Sequence, residues 1–407
     1  MRLKTRPQDT VMFQQLEAAP PDAILGLNEA FARDTTEAKI NLTTGVYKDA
    51  GGTTPVLECV KEAERRLVET EASKGYLGID GMQEFSAASR ALLFGTDHEV
   101  TGSGRATTVQ APGGTGALRV AAEFLATAFP DSSIWCSRPT WPNHPNIFRS
   151  AGLPISEYGY YDEATRGLDA QAMLDDLAQI PAGDIVCLHA CCHNPTGVDP
   201  SLEQWNQIAE IVADRGLLPL VDFAYQGFGD GLESDAAGLR ALARPGCRML
   251  VASSFSKNFG LYRERVGALT VVTGDSDTAS VVLSRLKRTI RCNYSNPPAH
   301  GAGIVTTILG DAELRAGWET ELAEMRSRIN DMRQALADGL TAAAPGHDFS
   351  SVTRQRGMFS FSGLSPEQVD RLKDEFGIYM VRNGRINVAG VTTDNVGKLC
   401  ESIAAVL

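Results

Sequence analysis

Lys257 stands in A-S-S-F-S-K-N-F-G-L-Y-R-E-R-V-G (252–267), among three serines and directly after the apolar run M-L-V-A (249–252). An ammonium loses its hydration in a core, so an amine at the end of a core strand needs a chemical reason. Such an amine can form a Schiff base with an aldehyde, and its pKa must fall from about 10.4 to move protons near neutrality. The plainer alternative is a lysine that reaches outward to pair with a carboxylate.

Other chemistry-bearing residues follow apolar runs in the same way. The run at 106–111 leads into P-G-G-T-G, where Gly113, Gly114 and Thr115 before a helix would offer N–H groups and a hydroxyl to a phosphate. An ordinary glycine turn is the alternative, and the run fits neither G-x-G-x-x-G nor the Walker pattern. Ser254 and Arg265 would complete the cradle with a donor and a fixed charge, or lie at the surface. Asp222 ends an apolar strand, where an unpaired carboxylate is costly. It either caps the next turn or faces a pyridinium nitrogen, keeping an electron-sink ring protonated. Trp141, in R-P-T-W-P-N-H, is a ring-stacking plate or a core aromatic. Asn194, in C-C-H-N-P-T-G, and Tyr225, in D-F-A-Y-Q-G-F, add hydrogen-bonding groups. Together with Lys257 the set points to pyridoxal 5'-phosphate (PLP).

These runs must be positioned by something. Short β-rich segments at 106–111, 132–137, 184–190, 216–224, 248–254 and 266–272 alternate with helical stretches such as 117–129, 202–216 and 236–244. Near-continuous apolar strands alternating with helices imply a mostly parallel sheet covered on both faces, with ligands beyond the strands' carboxyl ends. After Asp311 a long helix is expected from about Glu313 to Ala344. Short strands follow at 357–363 and 385–390, with helices at 365–376 and 392–405. The expected fold is α/β, a large PLP-binding domain over 55–315. A smaller α+β domain is expected from both termini, 1–54 and 316–407.

The motifs S-S-F-S-K-N-F-G-L-Y-x-E-R-V-G, C-C-H-N-P-T-G, D-F-A-Y-Q-G-F, P-G-G-T-G-A-L-R, N-Y-S-N-P-P-A-H-G and G-R-I-N-V-A-G together resemble the aspartate/aromatic aminotransferases, class I PLP enzymes of fold type I. The resemblance runs from about Phe13 to Leu407. It implies that Lys257 holds PLP covalently and, once released, carries the proton between the substrate Cα and the cofactor. It implies that Asp222 pairs with the ring nitrogen, with His144 behind it. Asn194 and Tyr225 would bond the ring's phenolic oxygen, and Trp141 would stack on the ring. Gly114, Thr115, Ser254 and Arg265 would hold the phosphate, and Tyr76 the phosphate of a neighbouring subunit, which makes a homodimer with shared active sites the working unit. Arg385 resembles the arginine that grips the substrate α-carboxylate. Arg291 resembles the one that reaches across the dimer to a side-chain carboxylate. Gly45, Trp141 and Asn194 would line the substrate site. A planar fork that stays charged suits both arginine tasks.

The reaction so implied is ping-pong transfer of the amino group of L-aspartate or L-glutamate to 2-oxoglutarate or oxaloacetate. Val46, Lys48, Thr54, Thr115 and Asn296 resemble the aspartate branch, while an aromatic-amino-acid aminotransferase is the alternative. Another PLP reaction, such as a lyase or β-decarboxylase, and a non-catalytic PLP-binding protein are the remaining readings. Three departures bear on substrate range: Thr43-Thr44 in place of a small Gly-Val pair, Gly75 before Tyr76, and the extra charge of Arg382. Thr44 and Gly75 are expected at the pocket mouth.

Composition narrows the partners. A net charge of −12 over 407 residues repels phosphate backbones and anionic membranes, so neither nucleic acid nor membrane is expected as a partner. Amino acids and 2-oxo acids drawn to a local basic pocket are compatible with it. Eight cysteines without a CxxC fit a reducing compartment, and M-R-L-K-T-R-P-Q-D-T leads into no apolar signal segment. The expected location is cytoplasmic. His189, Cys191 and His193 alternate in H-A-C-C-H and on a strand would share one face, as zinc ligands do. A buried run feeding the N-P-T-G turn is simpler, and no metal is expected.

Overall fold

The computed structural model describes residues 13, 16–18 and 25–407. Its centre is a seven-stranded sheet of β1 (Ala106–Pro112), β2 (Ile134–Arg138), β3 (Ile155–Gly159), β4 (Ile185–His189), β5 (Leu218–Phe223), β6 (Met249–Ser254) and β7 (Val266–Val272). The spatial order is β1-β7-β6-β5-β4-β2-β3. Only β7 runs antiparallel, to both β1 and β6; the other pairings are parallel.

Each central strand feeds two cores, because successive side chains leave opposite faces. Val186, Leu188, Val221, Phe223, Met249 and Val251 pack into one cluster. Ile185, Cys187, Leu220, Leu250 and Ala252, their sequence neighbours, pack into the other. That is why these strands read as unbroken apolar runs rather than alternating ones.

Helices of the described chain include α1 (Leu25–Arg33), α2 (Gly113–Ala128), α3 (Asn143–Ser150), α4 (Leu202–Arg215), α5 (Ser276–Asn293) and α6 (Ala312–Ala343). The long helix lies within a residue of expectation at each end. Asp311 starts it by accepting from the N–H groups of Glu313 and Leu314. Helix α2 departs from expectation: it opens at Gly113, so the glycine run is its first turn rather than a loop before it. Gly113 has φ +77, and a Cβ there would lie 2.3 Å from Arg265 Nη2.

The segments expected as strands at 357–363 and 385–390 shrink to Phe359–Phe361 and Arg385–Asn387, which pair antiparallel. The helix expected at 392–405 runs from Val396 to Val406. Near the start of the described chain, Ile40–Asn41 pairs in parallel with Ile378–Tyr379. Among the described residues no helix is long and apolar enough to cross a membrane.

Candidate active site

A cavity of about 220 Å³ opens beyond the carboxyl ends of β4, β5 and β6. Lining it are Gly45, Gly114, Thr115, Trp141, Asn194, Asp222, Tyr225, Ser254, Lys257, Arg265 and Arg385. These are eleven of the fourteen residues singled out from the sequence. They come from seven separate stretches of chain, most of them brought together because the parallel strands end on one side.

Lys257 follows β6 by three residues and turns its Nζ over the Tyr225 ring, 4.8 Å from the centroid. Enclosure lowers its pKa to about 8. The Asp222 carboxylate opposes the shift, and the Arg265 and Arg385 charges add to it. Asp222, on β5, is pushed up by burial, but the hydrogen bond from His144 and the nearby charge of Lys257 outweigh this and hold it below its ordinary value.

His144, the second residue of α3, is fully buried and donates from Nε2 to Asp222 Oδ2 at 3.0 Å. Its Nδ1 lies 2.8 Å from Thr140 Oγ1, which lies 3.2 Å from His189 Nε2. Burial lowers the His189 pKa to about 3, so this imidazole is neutral. With Asp222 ionised, every donor finds an acceptor if His189 donates to Thr140 and Thr140 to His144. His189 is the link that sequence reasoning set aside as a possible metal ligand. Strand β4 ends at His189, so Cys191 and His193 do not continue an alternating face. His193 bonds Ser137 and Thr196 through its two ring nitrogens.

Arg385 is 2% exposed. Its Nη1 donates to Asn194 Oδ1 at 3.1 Å and its Nη2 to the Thr43 carbonyl at 2.6 Å, while Nε has no partner. The guanidinium lies over the Phe359 ring, 4.3 Å from the centroid. Among the described residues it has no carboxylate partner, and burial lowers its pKa to about 10. A buried cation without an anion is costly, and a carboxylate entering the cavity would relieve it.

The cavity holds three cationic side chains, Lys257, Arg265 and Arg385, against one carboxylate, Asp222. At its α2 end the backbone comes close enough for an anion. A Cβ on Gly114 would meet Ser254 Cβ at 3.0 Å, and Gly113 leaves no room for one beside Arg265. Helix N-terminal N–H groups, a serine and a guanidinium converging on one bare stretch of backbone fit a phosphate. An amine, a carboxylate on the cavity wall and the Trp141 indole fit the aromatic aldehyde that would carry it.

Three expected residues lie elsewhere. His144 is behind Asp222, as expected. Tyr76 is 95% exposed and outside the cavity. Arg291, exposed at the last turn of α5, bonds Ser295 Oγ. None of the departures lines this chain's own cavity. Thr44 turns its hydroxyl to Asn28, Gly75 is capped by Ser73, and Arg382 pairs with Asp370 at the surface. Leu118, Cys191, Ala224, Ser256, Tyr262 and Phe359 line the cavity unannounced. Tyr262 is inside a quoted motif and Phe359 inside the run expected as a strand at 357–363, but nothing in their type separates a wall residue from a core aromatic.

Comparison with known proteins agrees with this chemistry. The aminotransferase class I and II family model matches residues 37–403. An aspartate aminotransferase of Haemophilus influenzae is 56% identical over 396 residues, 97% of this chain and 100% of that protein. The aromatic-amino-acid aminotransferase of Escherichia coli is 47% identical over 397 residues, again 97% of this chain and 100% of the other. Among solved structures, the aromatic-amino-acid aminotransferase of Burkholderia pseudomallei, covalently bound to pyridoxal phosphate, superposes with a TM-score of 0.95. The two are 50% identical, covering 98% of this chain and 100% of that one. From the full-length match and the convergence of Lys257, Asp222 and Arg385 on one cavity, the chain belongs to the aminotransferase class I and II family.

Proposed function

We propose that this transaminase uses PLP to move the amino group of L-aspartate or L-glutamate to 2-oxoglutarate or oxaloacetate in a ping-pong reaction. The observation that carries the reading is Arg385, a buried guanidinium with an unpaired N–H, on the same cavity wall system as Lys257. It suits the α-carboxylate common to every amino-acid and 2-oxo-acid substrate.

Bound PLP supplies an electron-poor ring that stabilises negative charge at the substrate Cα. The chain's residues do the rest. Gly114, Thr115, Ser254 and Arg265 would hold the phosphate, and Trp141 would face the ring. Asp222, held ionised by His144, would pair with the pyridine nitrogen. Asn194 and Tyr225 would bond the phenolic oxygen. Lys257, with its pKa lowered to about 8, would accept the substrate Cα proton as a neutral amine. Gripping the carboxylate at Arg385 sets which Cα bond faces that amine.

The working unit of this reading is a cytoplasmic homodimer, each chain divided into a large domain over 55–315 and a small one over 1–54 and 316–407. The pairing of Ile40–Asn41 with Ile378–Tyr379 supports the small domain. The boundary at 315 falls inside the continuous helix α6. Arg291 and Tyr76, exposed and outside their own cavity, would complete the partner's site, Arg291 taking the side-chain carboxylate and Tyr76 the phosphate. A second reading, aromatic substrates, is favoured by the Tyr262 and Phe359 rings on the cavity wall.

A mixing experiment tests these assignments together. Lys257→Ala and Arg291→Ala chains should each be nearly inactive in exchanging amino groups between L-aspartate and 2-oxoglutarate. Refolded together, they should recover about a quarter of wild-type activity, because half the dimers pair unlike chains and carry one intact site. No recovery would remove the shared site, and full activity of Arg291→Ala alone would remove its dicarboxylate role.

A further inference from the structure

The Thr43-Thr44 pair has a partner outside the cavity. Asn28, on α1, presents its side-chain oxygen to three donors: Thr44 Oγ1 at 2.7 Å, Asn41 Nδ2 at 2.9 Å and Thr43 Oγ1 at 2.9 Å. Asn41 in turn accepts on Oδ1 from the Thr43 backbone N–H at 3.0 Å and from Thr43 Oγ1 at 2.6 Å. One proton on Thr43 Oγ1 serves only one of its two acceptors at a time, and the shorter contact assigns it to Asn41.

The carbonyl of the same Thr43 receives Arg385 Nη2. The next residues continue into the site: Asn387 Nδ2 donates to the carbonyls of Thr44 and Val46, and Gly45 lines the cavity. A Cβ on Gly45 would lie 2.6 Å from Phe359 Cζ, so this backbone has little room to shift toward the ring beneath Arg385. The stretch from Asn41 to Gly45 is therefore held on one side by the arginine's own strand and on the other by α1. Thr43 is fully buried, so water does not replace these bonds when they are lost.

We propose that Asn28 is a positioning residue for the substrate α-carboxylate, acting through Thr44 and, by way of Asn41, through Thr43 on the carbonyl that orients Arg385. The proposal rests on the reading of Arg385 as the α-carboxylate group. It follows that the effect is common to all substrates, since each carries that carboxylate, and that it appears in binding rather than in the proton transfer at Lys257.

The test uses PLP-loaded enzyme and single-turnover conversion with L-aspartate and, separately, L-phenylalanine. Asn28→Ala should raise the half-saturating concentration of both amino acids by roughly five- to tenfold, the scale of one lost buried hydrogen bond. The limiting rate should stay within about twofold, as expected when only uniform binding is removed. Asn28→Asp, which keeps an oxygen acceptor, should restore wild-type saturation. Thr44→Val, which removes one donor at constant shape, should give a smaller shift of the same kind and serves if Asn28→Ala does not fold. Arg385→Lys is the reference and should raise both constants far more. If Asn28→Ala and Thr44→Val lower the melting temperature but leave both constants unchanged while Arg385→Lys raises them, Asn28 is structural and the proposal fails. A rise for aspartate alone also overturns it. If Arg385→Lys itself changes neither constant, the reading of Arg385 is what has failed, and this proposal falls with it.

Discussion

Lys257 carries the chemistry because its surroundings bring its amine's pKa close to physiological pH, so that a usable share of it is neutral. Its pKa falls from 10.5 to about 8, with burial as the main cause. The unfolded chain holds that proton up to about pH 10.4. Between the two values the unfolded state binds more protons, so this group's contribution to stability of the cofactor-free protein rises with pH across that window. The neutral amine is also the reactive form. The rate at which cofactor-free protein takes up PLP covalently should therefore climb with a midpoint near pH 8, followed by absorbance in a stopped-flow instrument. A midpoint near 10.4, the ordinary lysine value, would show that enclosure does not tune this amine. Lys257 and Asp222 were legible in the sequence because charged types at the ends of apolar strands need a reason to be there, and Arg385 was legible through the resemblance of G-R-I-N-V-A-G. His189 was not. A histidine beside two cysteines has several uses, and only the distances through Thr140 single out its link to His144.

The elements position these groups through close backbone approaches that the sequence signals by glycine. Gly267 on β7 has no room for a side chain, since its Cβ would fall 2.4 Å from the Gly113 carbonyl carbon. Gly113 adopts φ +77, which costs a non-glycine residue roughly 1–2 kcal/mol. Gly113→Ala should therefore weaken PLP binding about tenfold, combining that strain with displacement of Arg265, and should lower the melting temperature by a few degrees. Equilibrium titration of cofactor-free protein checks it, and unchanged affinity would take the α2 start out of the phosphate cradle. The α/β class was legible because parallel, doubly covered strands are apolar throughout. The start of α2 was not, since glycine's low helix propensity hides a first turn whose freed N–H groups serve a ligand instead. Thr44 is expected at the pocket mouth because position along the chain cannot show which way a side chain turns; its hydroxyl turns to Asn28 instead.

At the scale of the molecule, a chain of net charge −12 gathers a locally cationic cavity at one end of its sheet. The acidic exterior disfavours polyanions, while Arg265 and Arg385 attract a phosphate and a carboxylate over the short range at which screening is weak. The resemblance was legible over nearly the whole length. The dicarboxylate preference is harder to see in one protomer, because Arg291 lies outside its own cavity. The most direct measurement of the central claim adds L-aspartate alone to PLP-loaded enzyme, without any oxo acid, and follows cofactor absorbance and products. The account expects rapid conversion to the pyridoxamine form with one equivalent of oxaloacetate per site, and weaker conversion by L-phenylalanine. Conversion by L-phenylalanine as fast as by L-aspartate would contradict the dicarboxylate assignment. Release of carbon dioxide or free ammonia, or no conversion by either amino acid, would contradict transamination itself.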